Sequence, residues 1–325
     1  KELLAKHEAP ATANLFLKTP ITDTEAEQLA EWDVIILGVQ AQSVSPKAFD
    51  IIRDRNPDAV ILAYTLAAAL PKDNLDVLES TGGIWHTLDL ALEEENYLHD
   101  TNGDFIEIWP GMPMFDLNST VGEDQPLPWF LAKFWKRYAL DTGYWDGLFF
   151  DNAEGRIAHV AGDADFDGNG VAERPEEIDK MWQRGLGQMF RRLRLETGDG
   201  FLLMGNGLGA EIYAGYFGAY MLESFPSAAL GSWEDSLNVA EIMRGALREP
   251  KLLMVHSDTA NTGVPNEQFV RFTLGSSLLL GAWYAYDYGS WTTRSFGVLR
   301  PTSGCWASLW GKLFCLTERL RISGI

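Results

Sequence analysis

The sequence predicts an α/β fold, a (β/α)8 TIM barrel with a long loop excursion after its third strand. Short apolar runs alternate with longer amphipathic segments, which is the pattern of parallel strands joined by helices. Eight such runs occur, and the first is not followed by the Gly-x-Gly-x-x-Gly turn typical of nucleotide-binding open sheets. The 325 residues suit one large barrel better than two ordinary domains, so we expect a single domain over residues 1–325.

The apolar runs give the strands, and the amphipathic segments between them give the helices. Strands are predicted at residues 14–18, 33–39, 59–64, 146–151, 201–206, 219–223, 251–256 and 282–287. Helices are predicted, from helical spacing and capping residues, at 23–32, 46–55, 128–140, 175–196, 236–248 and 267–280. This order requires right-handed crossovers between parallel strands.

The alternation of strands and helices is interrupted over residues 71–128. Gly-Gly, Asn-Gly and Pro-Gly pairs punctuate this stretch, and Asp104–Trp109, which follows an Asn-Gly pair, is typical of a hairpin strand. Long ordered loops in compact domains often carry function. We therefore expect a loop excursion over the mouth of the barrel.

Charge limits the partners of this protein. The chain has a net charge of −20 and a pI near 4.6. Because such a polyanion repels nucleic acid and anionic lipid, we expect neither nucleic acid nor a membrane as a partner. In addition, no apolar stretch reaches the ~18 residues that a membrane helix needs.

The cysteines and the first residues bear on the compartment. Cys305 and Cys315 are too few for a disulfide framework or a cysteine-built zinc site, and either one disulfide or two free thiols fit the sequence. The sequence starts at Lys1 without an initiator methionine or a signal peptide, as a mature secreted domain or a shortened chain would. We expect an extracellular or periplasmic bacterial protein, with a cytoplasmic location left open.

Polar side chains stand at or just after the ends of nearly all predicted strands. They are Lys18, Tyr64, Asp151, Asn152, Asn206, Glu223, Asp258 and Asp287. In a barrel the carboxyl ends of the strands surround one opening, so these side chains should converge there. Asp146 instead begins its strand, and we expect it at the opposite face, where residues serve stability.

Asp151 and Glu223 are the strongest candidates for catalysis. Each ends an apolar run, where burial raises the pKa of one carboxyl while its neighbours hold the other ionised. Glycosidic cleavage needs this division, with one acid to protonate the leaving oxygen and one carboxylate to attack or to activate water. The two residues fall on the fourth and sixth strands, which are close enough around a barrel for the short separation of a retaining enzyme.

Other residues at the mouth are predicted to bind the substrate. Asp258 and Asp287 are rival carboxylates, and we favour them as contacts to sugar hydroxyls. Asn206 could orient a carboxylate or a sugar hydroxyl, and Lys18 could bind sugar or form an ordinary ion pair at the rim. Aromatic rings give sugars a stacking surface, although a single ring more often packs in the core. The full predicted set is Lys18, Tyr64, Trp85, Trp109, Asn152, Asn206, Asp258, Tyr286, Asp287 and Trp291.

Within a loop over about residues 163–176, Asp165–Glu176 matches the calcium-loop spacing D-x-D-x-N-G-x5-E. Oxygen ligands at alternate positions wrap a hard cation, and Gly170 permits the sharp turn between them. The predicted ligands are Asp165, Asp167, Asn169, Val171 and Glu176. We expect a structural Ca²⁺ that stiffens the loop after Asp151, although acidic, glycine-rich loops also occur without a metal.

Three short motifs together resemble a known family of barrels. They are Trp145–Asn152, Met204-Gly205-Asn206-Gly207 and Met221-Leu222-Glu223-Ser224. The chain resembles the hypothetical glycosyl-hydrolase-like family 15 over roughly residues 14–290. It is similar, more distantly, to the endo-α-1,4-polygalactosaminidase family. The resemblance implies an α-linked substrate cleaved with retention, with Asp151 as nucleophile and Glu223 as acid/base.

Residues 295–325 depart from the pattern of such barrels. We hypothesise that this atypical tail results from a frameshift near Cys305–Leu316, which resequencing the gene would test. The alternative is an ordinary closing helix, because Leu309, Leu313 and Leu316 follow helical spacing.

The sequence thus predicts a glycoside hydrolase that cleaves an oligo- or polysaccharide. A non-catalytic glycan-binding barrel is the alternative, and a metal-dependent deacetylase lacks an obvious ligand set. The distance between the two carboxyls separates these functions: about 5–5.5 Å favours retention, ~6.5–9.5 Å inversion, and a much longer distance binding alone.

Overall fold

The computed structural model describes residues 11–72, 83–260 and 262–287. Eight parallel strands form one sheet in the order β1-β2-β3-β8-β9-β10-β11-β12. Their bounds are β1 Ala13–Phe16, β2 Val34–Gly38, β3 Val60–Leu66, β8 Gly147–Asp151, β9 Leu202–Gly205, β10 Ala219–Leu222, β11 Leu252–Asp258 and β12 Trp283–Asp287. The predicted (β/α)8 TIM barrel is therefore confirmed.

The last strand meets the first, which closes the sheet. The backbone N–H of Tyr284 donates to the carbonyl of Ala11 at 2.9 Å, and Thr12 forms a parallel bridge with Tyr284. Because all strands are parallel, their carboxyl ends surround one mouth.

Alternate residues of each strand fill the inside of the barrel. The buried inner cluster is Ala11, Ala13, Val34, Ile36, Val60, Leu62, Phe149, Leu202, Met204, Ala219, Met221, Met254, Trp283 and Ala285. The residues between them pack against the surrounding helices. The same alternation, continued toward the carboxyl ends, directs Tyr64, Asp151, Asn206, Glu223, His256, Asp258 and Asp287 inward.

Eight α-helices lie in the described ranges, and local signals set their limits. They are α1 Asp23–Leu29, α2 Ala41–Val44, α3 Pro46–Arg55, α4 Ile84–Asp89, α5 Leu127–Tyr138, α6 Pro175–Thr197, α7 Trp233–Ala246 and α8 Glu267–Leu280. Thr22 and Ser232 form capping boxes at the starts of α1 and α7. Gly281, with φ of 56°, ends α8 in the left-handed conformation. A 3-10 helix, Ala210–Tyr216, replaces an α-helix between β9 and β10.

A long excursion separates β3 from α5. It contains α4, the 3-10 turn Glu94–Asn96, and two hairpins formed by β4 Glu107–Trp109 with β5 Met112–Pro113 and by β6 Thr120–Val121 with β7 Gln125–Pro126. The N–H of Asp165 donates to the carbonyl of His99 at 3.0 Å, which joins the excursion to the loop after β8. The excursion therefore lies on the mouth side of the barrel.

Asp146 lies at the opposite face, as predicted from its place at the start of its strand. Its Oδ2 accepts hydrogen bonds from Arg53 Nη2 at 2.6 Å and from the N–H of Ile61 at 2.7 Å.

No helix in the described ranges has both the length and the apolar character to cross a membrane. Trp291, both cysteines and the tail 295–325 lie outside the described residues.

Candidate active site

One side-chain amide lies between the two candidate catalytic carboxylates. Asn206 Nδ2 donates to Asp151 Oδ1 at 2.9 Å and to Glu223 Oε2 at 2.8 Å. Two acceptors of one amide nitrogen lie about 5 Å apart, because its two hydrogens point about 120° from each other. Asn206 itself is only 6% exposed, so the bridge is held in a fixed place.

Asp151 accepts hydrogen bonds on both of its oxygens. The hydroxyl of Tyr64 donates to Oδ2 at 2.5 Å, and the N–H of Asn152 and the amide of Asn206 donate to Oδ1, each at 2.9 Å. Burial, followed by the negative charge of Glu223, raises the pKa of Asp151 to about 6, although the three hydrogen bonds lower it. Asp151 is therefore mainly an anion at neutral pH, with its orientation fixed by three donors.

Each candidate carboxylate is followed by a residue in the left-handed conformation. Asn152 has φ of 53° and Ser224 has φ of 51°. Such angles are uncommon outside glycine, although asparagine adopts them more readily than most residues. The chain thus turns sharply just after Asp151 and Glu223, and the Glu223 side chain is exposed at the mouth.

A third carboxylate, Glu154, belongs to the site and was missed by the sequence analysis. Its Oε2 accepts from the N–H of Leu208 at 3.0 Å. Burial is the main cause that raises the pKa of Glu154 to about 7, with this hydrogen bond acting against the rise and the charges of Asp151 and Glu223 adding to it. Because Glu154 stands in the loop after β8, a search limited to strand ends could not find it.

The loops that follow β8 and β9 are bound to each other. The N–H of Ala153 donates to the carbonyl of Asn206 at 2.7 Å, and the N–H of Gly155 donates to that of Leu208 at 2.8 Å. A Cβ atom on Gly155 would lie 2.0 Å from the carbonyl oxygen of Gly209, so the close approach requires glycine. This contact fixes the donors Asn206 and Leu208 relative to the carboxylates.

Asp258 and Asp287 also lie at the mouth. They are paired residues at the ends of the neighbouring strands β11 and β12. Asp258 accepts from Ser224 Oγ at 2.6 Å and from the N–H of Ala260 at 2.7 Å. Asp258 therefore helps to hold the turn that follows Glu223.

Several predicted substrate contacts lie elsewhere. Trp85 is only 4% exposed and packs edge-on against Trp135, so its ring offers no face to a sugar. Tyr286 points to the helical layer, where its hydroxyl accepts from the N–H of Asn266 at 2.9 Å. Trp85 and Tyr286 were predicted to contact substrate, but both rings pack away from the mouth.

Two further predicted contacts have different surroundings. Lys18 forms an ion pair with Glu25 of α1 at 2.5 Å, which is the rim ion pair that the sequence left open. Trp109 is 59% exposed on the β4–β5 hairpin and remains available to a ligand.

The loop predicted to bind calcium brings three carboxylates together. Oxygens of Asp165, Asp167 and Glu173 all lie within 4.8 Å of one another. Asp165 accepts from the N–H groups of Asn169 and Gly170, which closes the loop at 3.0 and 2.6 Å. The third carboxylate of this cluster is Glu173, whereas the predicted ligand Glu176 lies in the first turn of α6.

Among the other predicted ligands, Asn169 turns its side-chain oxygen to the N–H of Val171 at 2.8 Å. A carbonyl at the position of Val171 is the usual seventh-position ligand of such loops, and Glu173 stands at the ninth position.

Comparison with known proteins gives one family. Residues 53–298 match the family described as hypothetical glycosyl hydrolase family 15, which covers about three quarters of the chain. No curated protein matches the chain.

Proposed function

The chain belongs to hypothetical glycosyl hydrolase family 15, and from that premise we propose that it hydrolyses glycosidic bonds of an oligo- or polysaccharide with retention of anomeric configuration. The observation that carries this proposal is the Asn206 bridge, for which the ideal geometry of one amide nitrogen gives about 5 Å between the acceptor oxygens of Asp151 and Glu223. Retaining enzymes hold their two carboxyls about 5–5.5 Å apart, whereas inverting enzymes leave room for a water between them.

Asp151 is the nucleophile in this mechanism. Its three hydrogen bonds favour the anion and hold it in place for attack on the anomeric carbon. The leaving oxygen takes a proton from Glu223 as the glycosidic bond breaks, and the sugar becomes an ester of Asp151.

Glu223 then acts as the base of the second step. It removes a proton from water, the water oxygen attacks the anomeric carbon, and the Asp151 carboxylate is released. The exposed position of Glu223 supports this role, because the leaving group and the water must both reach it from the mouth.

Hydrolysis of a panel of α- and β-linked glycans, α-linked first, tests the proposal. Asp151→Asn and Glu223→Gln should each lower kcat/KM by at least 10³-fold, because each removes a group that acts on the reacting atoms. NMR of the first product should show the anomer of the substrate. An inverted product would refute the retaining mechanism, and glycan binding without cleavage would favour the glycan-binding barrel.

We also propose a structural Ca²⁺ on Asp165, Asp167 and Glu173. The loop combines the spacing of a calcium loop with three converging carboxylates and a closing hydrogen bond from Gly170. Added Ca²⁺ should raise the melting temperature, and Asp165→Asn should abolish this rise. Asp163→Asn, at an exposed position two residues before the first residue of the motif, is the matched control. An unchanged melting temperature with millimolar Ca²⁺ would contradict the proposal.

A further inference from the structure

β11 brings a histidine to the inside of the barrel beside Glu223. The ladder between β10 and β11 pairs Leu222 with Val255, so Glu223 and His256 are the next neighbours along the two strands. His256 shares its face with Met254, which belongs to the inner cluster. The N–H of Phe225 donates to the His256 carbonyl at 2.8 Å, which keeps the two strands together beyond the last ladder pair.

The Nδ1 atom of the His256 imidazole has no hydrogen-bond partner within the described ranges. The residue is only 6% exposed, and its Nδ1 is sealed from solvent without an acceptor or a donor. A buried, unpaired ring nitrogen costs free energy that an apolar side chain of similar size would not. Unpaired groups of this kind in a native protein call for an explanation, such as a role in binding.

The polar side chains near His256 at the mouth, in contrast, have hydrogen-bond partners within the protein. Asp151, Asn206 and Asp258 each make at least two hydrogen bonds to protein groups. Their orientation is thus set before any ligand arrives, whereas Nδ1 of the imidazole keeps its hydrogen-bonding capacity unused.

We propose that His256 is a substrate-binding residue whose imidazole hydrogen-bonds a hydroxyl of the sugar held beside Asp151 and Glu223. This inference rests on the glycan substrate of the proposed function. A hydroxyl both donates and accepts, so it can pair with a ring nitrogen that carries a hydrogen or with one that does not. Because the χ2 torsion of histidine is broad, the ring can turn a nitrogen toward the entering hydroxyl.

Two variants separate binding from folding. His256→Leu should keep or raise the melting temperature, because it removes an unpaired polar group from the barrel. The same variant should lower kcat/KM about ten-fold on the glycan that wild type cleaves, and His256→Gln should restore part of the loss. His159→Leu, at an exposed position in the loop after β8, should change neither quantity.

NMR of ¹⁵N-histidine in the Asp151→Asn variant measures binding without turnover. Maltotriose, cellotriose, β-1,4-galactotriose and chitotriose are the probes, and at least one should shift the His256 ring resonances. Such a shift without wild-type hydrolysis would support the inference and refute the proposed hydrolase. Hydrolysis with unmoved His256 resonances and an unchanged kcat/KM in His256→Leu would overturn the inference alone. The absence of both shift and hydrolysis would overturn both.

Discussion

Replacing Glu154 with glutamine should stabilise the protein above neutral pH. The folded state raises the pKa of this carboxyl from 4.5 to about 7, mainly through burial. The folded state therefore binds the proton more tightly than the unfolded state, and the associated stability is present below pH 4.5 and is lost as pH rises through 7. Glutamine resembles the protonated form and can still accept from the N–H of Leu208.

The size of the effect follows from the shift. At about 1.4 kcal/mol per pKa unit, the full shift corresponds to roughly 3 kcal/mol above pH 7. Because Glu154 is only partly buried, solvent screening reduces this to about 1–2 kcal/mol. Glu154→Gln should thus exceed wild type by that amount at pH 8 and match it near pH 4.5.

Urea denaturation at pH 5 and pH 8, followed by tryptophan fluorescence, measures the difference. Glu123→Gln, at an exposed position in the turn between β6 and β7, serves as the control and should show no pH-dependent gain. Equal free energies of unfolding for Glu154→Gln and wild type at pH 8 would refute the reasoning, since they would mean that the charge of Glu154 costs the folded state nothing.

Two further predictions concern the surroundings of Asp151, the proposed nucleophile. Tyr64→Phe removes a hydrogen-bond donor that lowers the pKa of Asp151. The acidic limb of the pH–rate profile should therefore move upward from about 6, and kcat/KM should fall roughly ten-fold. An acidic limb at the same pH in the variant would mean that the Tyr64 hydroxyl does not lower the pKa of Asp151. Gly155→Ala places a Cβ 2.0 Å from the carbonyl of Gly209 and should cost about 1–3 kcal/mol in denaturation, whereas Gly215→Ala, with open space around its Cβ, should cost less than 1 kcal/mol. Equal losses of unfolding free energy in the two glycine variants would show that the loops after β8 and β9 can move apart at little cost.

The strands and the two main carboxylates could be predicted from sequence because one physical pattern marks both. A buried parallel strand is an apolar run, and a polar residue that ends such a run at a barrel mouth faces the opening. Asp151 and Glu223 follow this pattern, and Asn206 follows it one strand away. Glu154 does not, because its place depends on how two loops meet.

Some errors could have been avoided with the same physics. Neighbouring residues of a strand point to opposite faces, so Tyr286 and Asp287 could not both line the mouth. Trp85 needed tertiary information, since only the packing of α4 on α5 shows that the ring is buried. Likewise, the sequence spacing favoured Glu176, whereas tertiary structure brings Glu173 close to Asp165 and Asp167.

The contact between the loops after β8 and β9 positions the candidate catalytic groups separately from the excursion. In the described ranges, the donors that hold Asp151, Glu154 and Glu223 come from β3 and from these two loops. We therefore expect that exchanging the hairpins of the excursion for those of a relative leaves these donors in place. Such a transplant should change which glycans are admitted while the chemistry stays the same, so substrate preference could diversify in this scaffold by insertion and replacement in a single connection.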